Sequence, residues 1–456
     1  MYDPQNNPPS IWERNKLLIK GFMTGFLIVI MLIPASIILN LVRERQSRQE
    51  EVVSEVSNKW AKGQTVTGPM LMIPYIESTI EQGKVSKVRR TAYVLPETYM
   101  VNGNVQPERR HRSLFDVILY RANVEMKGHF GKLPLDKLQL DPANIIWPEV
   151  KLVMGIDDAR GLEEDVQLDW NGNKQILESG TMNTDIATEE LGTQVAMDTT
   201  KGADFAIKLK VKGSQFLHFT PVGKTTEVSL QAPWKDPDFE GQYLPDTSNI
   251  TDKDFSAHWK ILAIARNFPQ YWKDKGPDLK ASSFGVKLIQ PVDGYSKTER
   301  SVKYAILFIA LTFTIFFFIE ILQKRQVHPL QYILVGMALC LFYTLLLSLS
   351  EYLGFNVAYF ISTLATVILI GLYVWSIFKS GKTAIGFSVA LSGLYIFIFI
   401  LIQLQDYALL FGSIGLFVVL AVMMYYSRKI DWYGVTTKKQ EVNYESKENE
   451  HEEQGQ

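Results

Sequence analysis

Two clusters of carboxylates stand in turns of the polar middle of the chain. "GIDDARGL" sets Asp157, Asp158 and Arg160 within four positions, and "KDPDFEG" adds Asp236, Asp238 and Glu240. Oxygen ligands gathered in a turn suit Ca²⁺. The EF-hand spacing is absent, however, and aspartates in turns also bond their own backbone. The 6 histidines (His111, His129, His218, His258, His328 and His451) include no pair at metal-ligand spacing. HExxH, Walker A and GxSxG motifs are absent as well. No nucleophile–base pair is visible, so the sequence predicts a non-enzyme with no catalytic residues, metal or cofactor.

Three more carboxylates, Glu320, Glu351 and Asp406, interrupt an otherwise apolar C-terminal block. Charge inside a membrane is costly and therefore worth reading residue by residue. Glu320 lies one helical turn from Lys324, a pairing distance. Glu351 and Asp406 fall in loops at the same end of the block. They share one surface facing a soluble domain or a cation, or they are ordinary polar loop ends. Gln331, Gln403 and Gln405 are expected to add polar contacts between helices.

These side chains are positioned by apolar runs long enough to cross about 30 Å of hydrocarbon. The expected spans are an uncleaved anchor at 21–42, mildly kinked at Pro34, and five more at 302–322, 329–349, 355–377, 384–404 and 407–427. The loops between the last five are short, which predicts a hairpin bundle behind a distant first helix. "QKRQVHP", "KSGKT" and the exit "SRKIDWYG" carry Lys and Arg; "SEYLGFN" and "QLQD" carry Glu351 and Asp406 instead. Basic loops stay in the cytoplasm, so both termini are expected there and the segment 43–301 outside. Arg43, Arg45 and Arg48 after the first span nearly balance Arg14, Lys16 and Lys20 before it, and long domains cross largely regardless of charge. The organisation is then a cytoplasmic N-terminus at 1–20, the anchor, an outside domain at 43–301, the bundle at 302–427 and a charged, disordered cytoplasmic tail at 428–456.

The outside domain opens with an amphipathic helix over 43–62, where Val52, Val56 and Trp60 recur every fourth residue. Arg48 with Glu51, and Glu55 with Lys59, are spaced to pair along it. Beyond Thr65 the pattern is extended. "TVTGPMLMIPYIES", "LFDVILYRANVEMKG", "VKLVMGI", "FAIKLKVKG" and "TEVSLQAPW" are rich in β-branched and aromatic residues. Asn171-Gly172 predicts a hairpin turn, and "DFSAHWKILAIARNF" is helix-like. A strand ending in Lys-Gly and then Glu-Val-x-Leu occurs twice, at 124–152 and 209–230, an echo of two related β modules. The fold class is thus a one-plus-five transmembrane bundle with a mainly antiparallel extracytoplasmic sandwich or open barrel. A net charge of -1 gives no reason to expect nucleic acid as a partner.

Long phrases in this sequence resemble the CreD family of bacterial inner-membrane proteins: "LVRERQSRQEEVVSEVSNKWAKGQTVTGPMLMIPY", "GIDDARGL", "DFEGQYLP", "PVDGYSKTERSVKYAILFI", "HPLQYILVGMALCLFYTLLLSLSEYLGFNVAY", "QDYALLFGSIGLF" and "RKIDWYG". The resemblance runs from about Lys16 to Gly434. It implies a multi-pass protein of the bacterial inner membrane with a periplasmic β-rich domain, a link to cell-envelope integrity, and control by a carbon-source-responsive two-component system. It brings no catalytic residue, cofactor or substrate. Expected partners are the lipid bilayer and an unidentified periplasmic or membrane protein, lipid or glycan. The favoured function is an envelope protein whose β domain binds or organises an envelope component. The alternative is a transporter or lipid-handling protein that uses the bundle.

Overall fold

The computed structural model describes residues 16–81, 84–112, 114–180, 189–198, 200–288, 294–323, 325–404 and 407–428; Asp406 and the tail beyond 428 lie outside them. The chain forms two compact units, Gln49–Pro291 and Met1–Arg48 with Val292–Gln456. Among the described residues, 6 helices are long and apolar enough to cross a membrane.

The first helix, α1 (Lys16–Trp60), runs unbroken through Pro34 and joins the expected anchor to the expected amphipathic helix. The reason is local: between Val42 and Trp60 the sequence holds no glycine or proline, and Glu, Gln, Arg and Lys propagate a helix well. Leu27, Met31, Ala35, Ile38 and Val42 form a buried stripe, while Phe22, Phe26, Val29, Ile33 and Ile37 are exposed. The C-terminal helices that follow are α2 (Gly294–Lys303), α3 (Ala305–Leu322), α4 (Pro329–Leu353), α5 (Phe355–Phe378), α6 (Gly381–Gln403) and α7 (Ala408–Ser427), and the stripe meets α4 through Met31. The first helix is therefore distant only in sequence. Gly336 of α4 lets Met31 approach, since a Cβ there would collide with the Met31 side chain. Cys340 Sγ lies 3.9 Å from the Met31 carbonyl oxygen, within reach of a weak hydrogen bond. Gln331, expected between helices, instead closes a capping box at the start of α4: the His328 N–H donates to Gln331 Oε1 at 3.1 Å, and His328 Nδ1 accepts from Leu330 N at 3.2 Å. Rings of α3, α4 and α6 fill the interior, with Phe308 and Phe342 4.4 and 4.7 Å from Tyr395.

The other unit is built on strands β1 (Gln64–Glu81), β2 (Lys84–Val94), β3 (Thr98–Arg112), β4 (Phe115–Phe130), β5 (Lys151–Ile156), β6 (Val166–Trp170), β7 (Asn173–Ser179) and β8 (Glu189–Gln194). It continues with β9 (Ala203–Ser214), β10 (Phe216–Phe219), β11 (Thr225–Ala232), β12 (Pro237–Gly241), β13 (Thr247–Ile250), β14 (Phe255–Leu262), β15 (Tyr271–Lys273) and β16 (Phe284–Leu288). They pair in the order β12-β16-β10-β1-β5-β8-β7-β6-β9-β4-β3-β11-β14-β13, an open path with β2 and β15 branching from β1. Among the described residues only β1 with β10 and β3 with β11 pair in parallel, so the sheet is mainly antiparallel. Alternate residues of the longer strands β3, β4, β9, β11 and β14 enter one continuous core that includes Val101, Met126, Ile207, Trp259 and Phe284.

The Asn171-Gly172 turn joins β6 to β7 as the sequence predicts, with φ of +50° and +86° at the two positions. The two left-handed residues match the twist of the strands. "DFSAHWKILAIARNF" is not a helix: Phe255, Ala257, Trp259 and Ile261 alternate into the core as β14. A period of two outweighs helix propensity once a neighbouring strand supplies the ladder. The echoed Lys-Gly strands, β4 and β9, lie side by side and antiparallel. Their followers, β5 and β11, pair with different neighbours, β1 and β8 for one and β3 and β14 for the other.

Ile207, at 0% exposure in the middle of β9, gives a direct test of this core. Ile207→Ala should cost about 2–5 kcal/mol, measured as a lower denaturant midpoint of the full chain followed by tryptophan emission.

Candidate functional site

"GIDDARGL" closes the joint between the end of α1 and β1. Asp158 is buried, and Arg160 grips its carboxylate with two prongs, Nε to Oδ1 at 2.8 Å and Nη2 to Oδ2 at 2.7 Å. The Asp158 oxygens also accept the backbone N–H groups of Lys62 and Arg160, both at 3.1 Å. The free arm of Arg160 donates to the Asn58 carbonyl at 2.6 Å. That carbonyl is one of the last of α1, an orphan acceptor at the negative end of the helix dipole. Gln64 Nε2 donates to the Asp158 carbonyl at 2.9 Å. Asp157 accepts from Thr65 N at 3.0 Å and pairs with Lys280. Trp60, at the last turn of α1, is surrounded by cations: Arg110, Arg121 and Lys212 lie 4.4, 5.0 and 4.8 Å from its ring. The Arg160 hydrogen bonds hold the Asp158 carboxyl below the usual carboxylate range.

The structure thus brings Asp157, Asp158 and Arg160 together, with their oxygens committed to protein donors. Asp236 and Asp238 make no bond to them among the described residues, whereas Glu240 and Asp157 both act on the His218 ring. Glu240 sits 3.2 Å from Lys287 and 3.4 Å from His218, a ring whose pKa burial pushes down. Among the described residues no group of three His, Cys, Asp or Glu side chains is placed to hold a metal ion.

In the helical unit, Glu320 gathers three donors from separate segments. Lys20 of α1 pairs with it, Val327 N donates to Oε1 at 2.8 Å, and the Tyr332 hydroxyl donates to Oε2 at 2.9 Å. Lys324, its expected partner, lies outside the described residues. Glu351 accepts from the Tyr295 hydroxyl of α2 at 2.9 Å. Close by in sequence on α2, Lys297 donates to Gln403 Oε1 at 3.2 Å, and Gln403 in turn donates to Asn356 at 2.7 Å, an interhelical contact of the expected kind. Glu299 of α2 pairs with Arg43 of α1 at 3.1 Å. Asp406 and Gln405 lie outside the described residues, so the surface proposed to join Asp406 to Glu351 is not described.

A larger feature escaped sequence reading. Across the outward face of six strands, ladder register aligns two rows of polar residues. One row runs Lys208, Glu125, Asn102, Ser229, His258, Thr247; the next runs Lys210, Asn123, Asn104, Gln231, Ser256, Asn249. At about 4.8 Å between strands each row is about 24 Å long. The rows line an open groove of about 750 Å³. Ser229 Oγ and His258 Nδ1 are 3.0 Å apart within it. The signal lay in "MVNGNV" and "RANVEMKG", where Asn102, Asn104, Asn123 and Glu125 take outward positions, but which strands would stand side by side was not readable.

Comparison with known proteins gives two findings. The model of the family described as Inner membrane protein CreD matches residues 16–433 of this chain. Inner membrane protein CreD of Escherichia coli (strain K12) is 31% identical over 431 residues, which cover 92% of this chain and 94% of that protein.

Replacing Asp158 by asparagine tests the joint. The change keeps the shape and removes the charge that orders Arg160, so Asp158→Asn should lower stability by about 1–3 kcal/mol at neutral pH. Because the folded pKa of Asp158 is depressed, its contribution is complete above the unfolded value of about 3.9 and is lost as pH falls through the folded one. Denaturant midpoints of parent and variant should therefore differ at neutral pH and converge in acid.

Proposed function

The chain belongs to the CreD family of inner membrane proteins, and from there we propose that it is a non-enzymatic protein supporting envelope integrity. In this reading the β unit lies in the periplasm, both termini are cytoplasmic, and the double polar row binds an envelope glycan. The rows are the observation that carries the reading. Amides and hydroxyls offer donors and acceptors side by side, which suits the alternating demands of sugar hydroxyls. Two lysines against one glutamate leave little charge to select a polyanion. Their length of about 24 Å favours an extended ligand over a small molecule.

A Ser–His pair in a groove also invites a hydrolytic reading. Two features oppose it. No carboxylate hydrogen-bonded to His258 occurs among the described residues. The strands that carry Ser229 and His258 are paired on both sides, so their backbone N–H groups are spent in the ladders and supply no oxyanion hole. Glu351, bonded by Tyr295, is better explained as a helix tie than as a transport residue.

Two measurements test the proposal. In a Cys340→Ser background, single cysteines at Asn171 and Lys379 are labelled with a membrane-impermeant maleimide. Asn171 should react in intact cells and Lys379 only after lysis; the reverse pattern would put the β unit in the cytoplasm and end the glycan reading. For the rows, the full chain in nanodiscs should co-sediment with purified peptidoglycan. Asn104→Ala with Gln231→Ala should weaken that binding about tenfold, two hydrogen bonds at about 0.7 kcal/mol each, whereas Ser229→Ala, one such bond, should weaken it about threefold and no more. Equal binding by the double variant would remove the rows from the function.

A further inference from the structure

The helical unit carries a second groove, unrelated to the sheet. It runs between α3, α6 and α7 and encloses about 820 Å³. Most of its wall is apolar, with Ile315 and Ile319 from α3 facing Val418 and Val422 from α7. On α6 the wall is missing side chains: Gly386 and Gly393 line the groove, and a Cβ built on either would meet nothing within 4 Å. The space is open and not filled by a neighbouring helix. It ends where the Phe397 ring sits against Gly415. α7, which forms the far side, has no buried residue of its own.

In water such a slot would be an exposed apolar patch. In an inner-membrane protein the only medium available to fill it is lipid. Its two ends differ. Near the start of α6 the lining turns polar, with Lys382, Thr383 and Gln323, and Gln323 Nε2 donates to Thr383 Oγ1 at 3.0 Å. Lys382 is exposed at that mouth, and no carboxylate pairs with it among the described residues. From Lys382 to Gly393 the helix rises about 16 Å, close to the roughly 15 Å depth of one leaflet. A cation at the interface above a one-leaflet apolar slot complements an anionic phospholipid in length and in charge.

We propose that this groove is a lipid-binding site that holds one acyl chain of an anionic phospholipid, with the phosphate against Lys382 and the chain passing Gly386 and Gly393. The bound chain would supply the packing that α7 lacks from protein. The site is independent of the glycan reading, because it uses no residue of the β unit.

The test reconstitutes the full chain in vesicles of phosphatidylethanolamine and phosphatidylglycerol, with a diazirine on one acyl chain of the phosphatidylglycerol. After photolysis the adducts are mapped by mass spectrometry. Labelling should concentrate on the groove segments 393–397 and 418–423, well above the exposed outer residues Phe360 and Leu364 of α5. Gly393→Leu and Val419→Trp fill the groove from two different helices, and each should remove that excess while leaving outer labelling unchanged. Lys382→Gln should reduce groove labelling by the anionic lipid about fivefold. Equal labelling of groove and outer faces, or an excess that survives both filling variants, would reduce the lipid to ordinary annular solvent and overturn the site. An excess indifferent to Lys382→Gln would overturn the headgroup assignment.

Discussion

A carboxylate taken out of water has to be met by donors from the protein, and this constraint knots both units. Asp158 does it in the β unit and Glu320 in the helical unit. Each is 3% exposed, and each draws donors from segments far apart in sequence. Around Asp158 these are the backbone of Lys62, just past the end of α1, and the forked guanidinium of Arg160. Around Glu320 they are Lys20, Val327 N and Tyr332. Breaking one partner of such a set leaves an uncompensated buried charge, which costs more than the bond itself is worth. The knots therefore fix geometry: one seats the end of α1 on the sheet, the other seats the beginning of α1 on α3 and α4.

The sheet shows how a core and a surface arise from one pattern. Tyr99, Val101, Val105, Val124, Met126, Val228 and Leu230 point inward. The residues between them must point outward and meet their counterparts on the next strand. In β3, β4 and β11 those outward positions hold asparagine, glutamate, serine and glutamine. The resulting rows need no special backbone; they follow from register once six strands lie side by side.

The helical unit solves its packing differently. Where helices touch, rings and small residues interlock, as at Gly336 beneath Met31. Along α6, the same residue type is used without a partner: Gly386 and Gly393 face open space. In a bilayer that contrast has meaning, because an unfilled apolar slot is solvated by acyl chains and not by water.

Much of the architecture was legible in the sequence. Apolar length set the six spans, alternation set most strands, and Asn171-Gly172 set a hairpin, because each depends on neighbours within a few residues. Two local readings failed for the opposite reason. Phe255–Leu262 became a strand because β11 and β13 flank it, and the first helix joined the bundle because a buried stripe found a partner some three hundred residues on. The chemistry of the acidic turn was visible as residue types only. Whether Asp157 and Asp158 would face a cation or the end of a helix depended on where Lys62, Thr65 and Lys280 were brought. The sequence alone determined which segments are apolar, which alternate and which residues carry charge. Tertiary structure decided which of those charges are consumed in holding the fold, and which polar rows and open grooves remain available to bind, since both depend on contacts between residues that no short-range pattern relates.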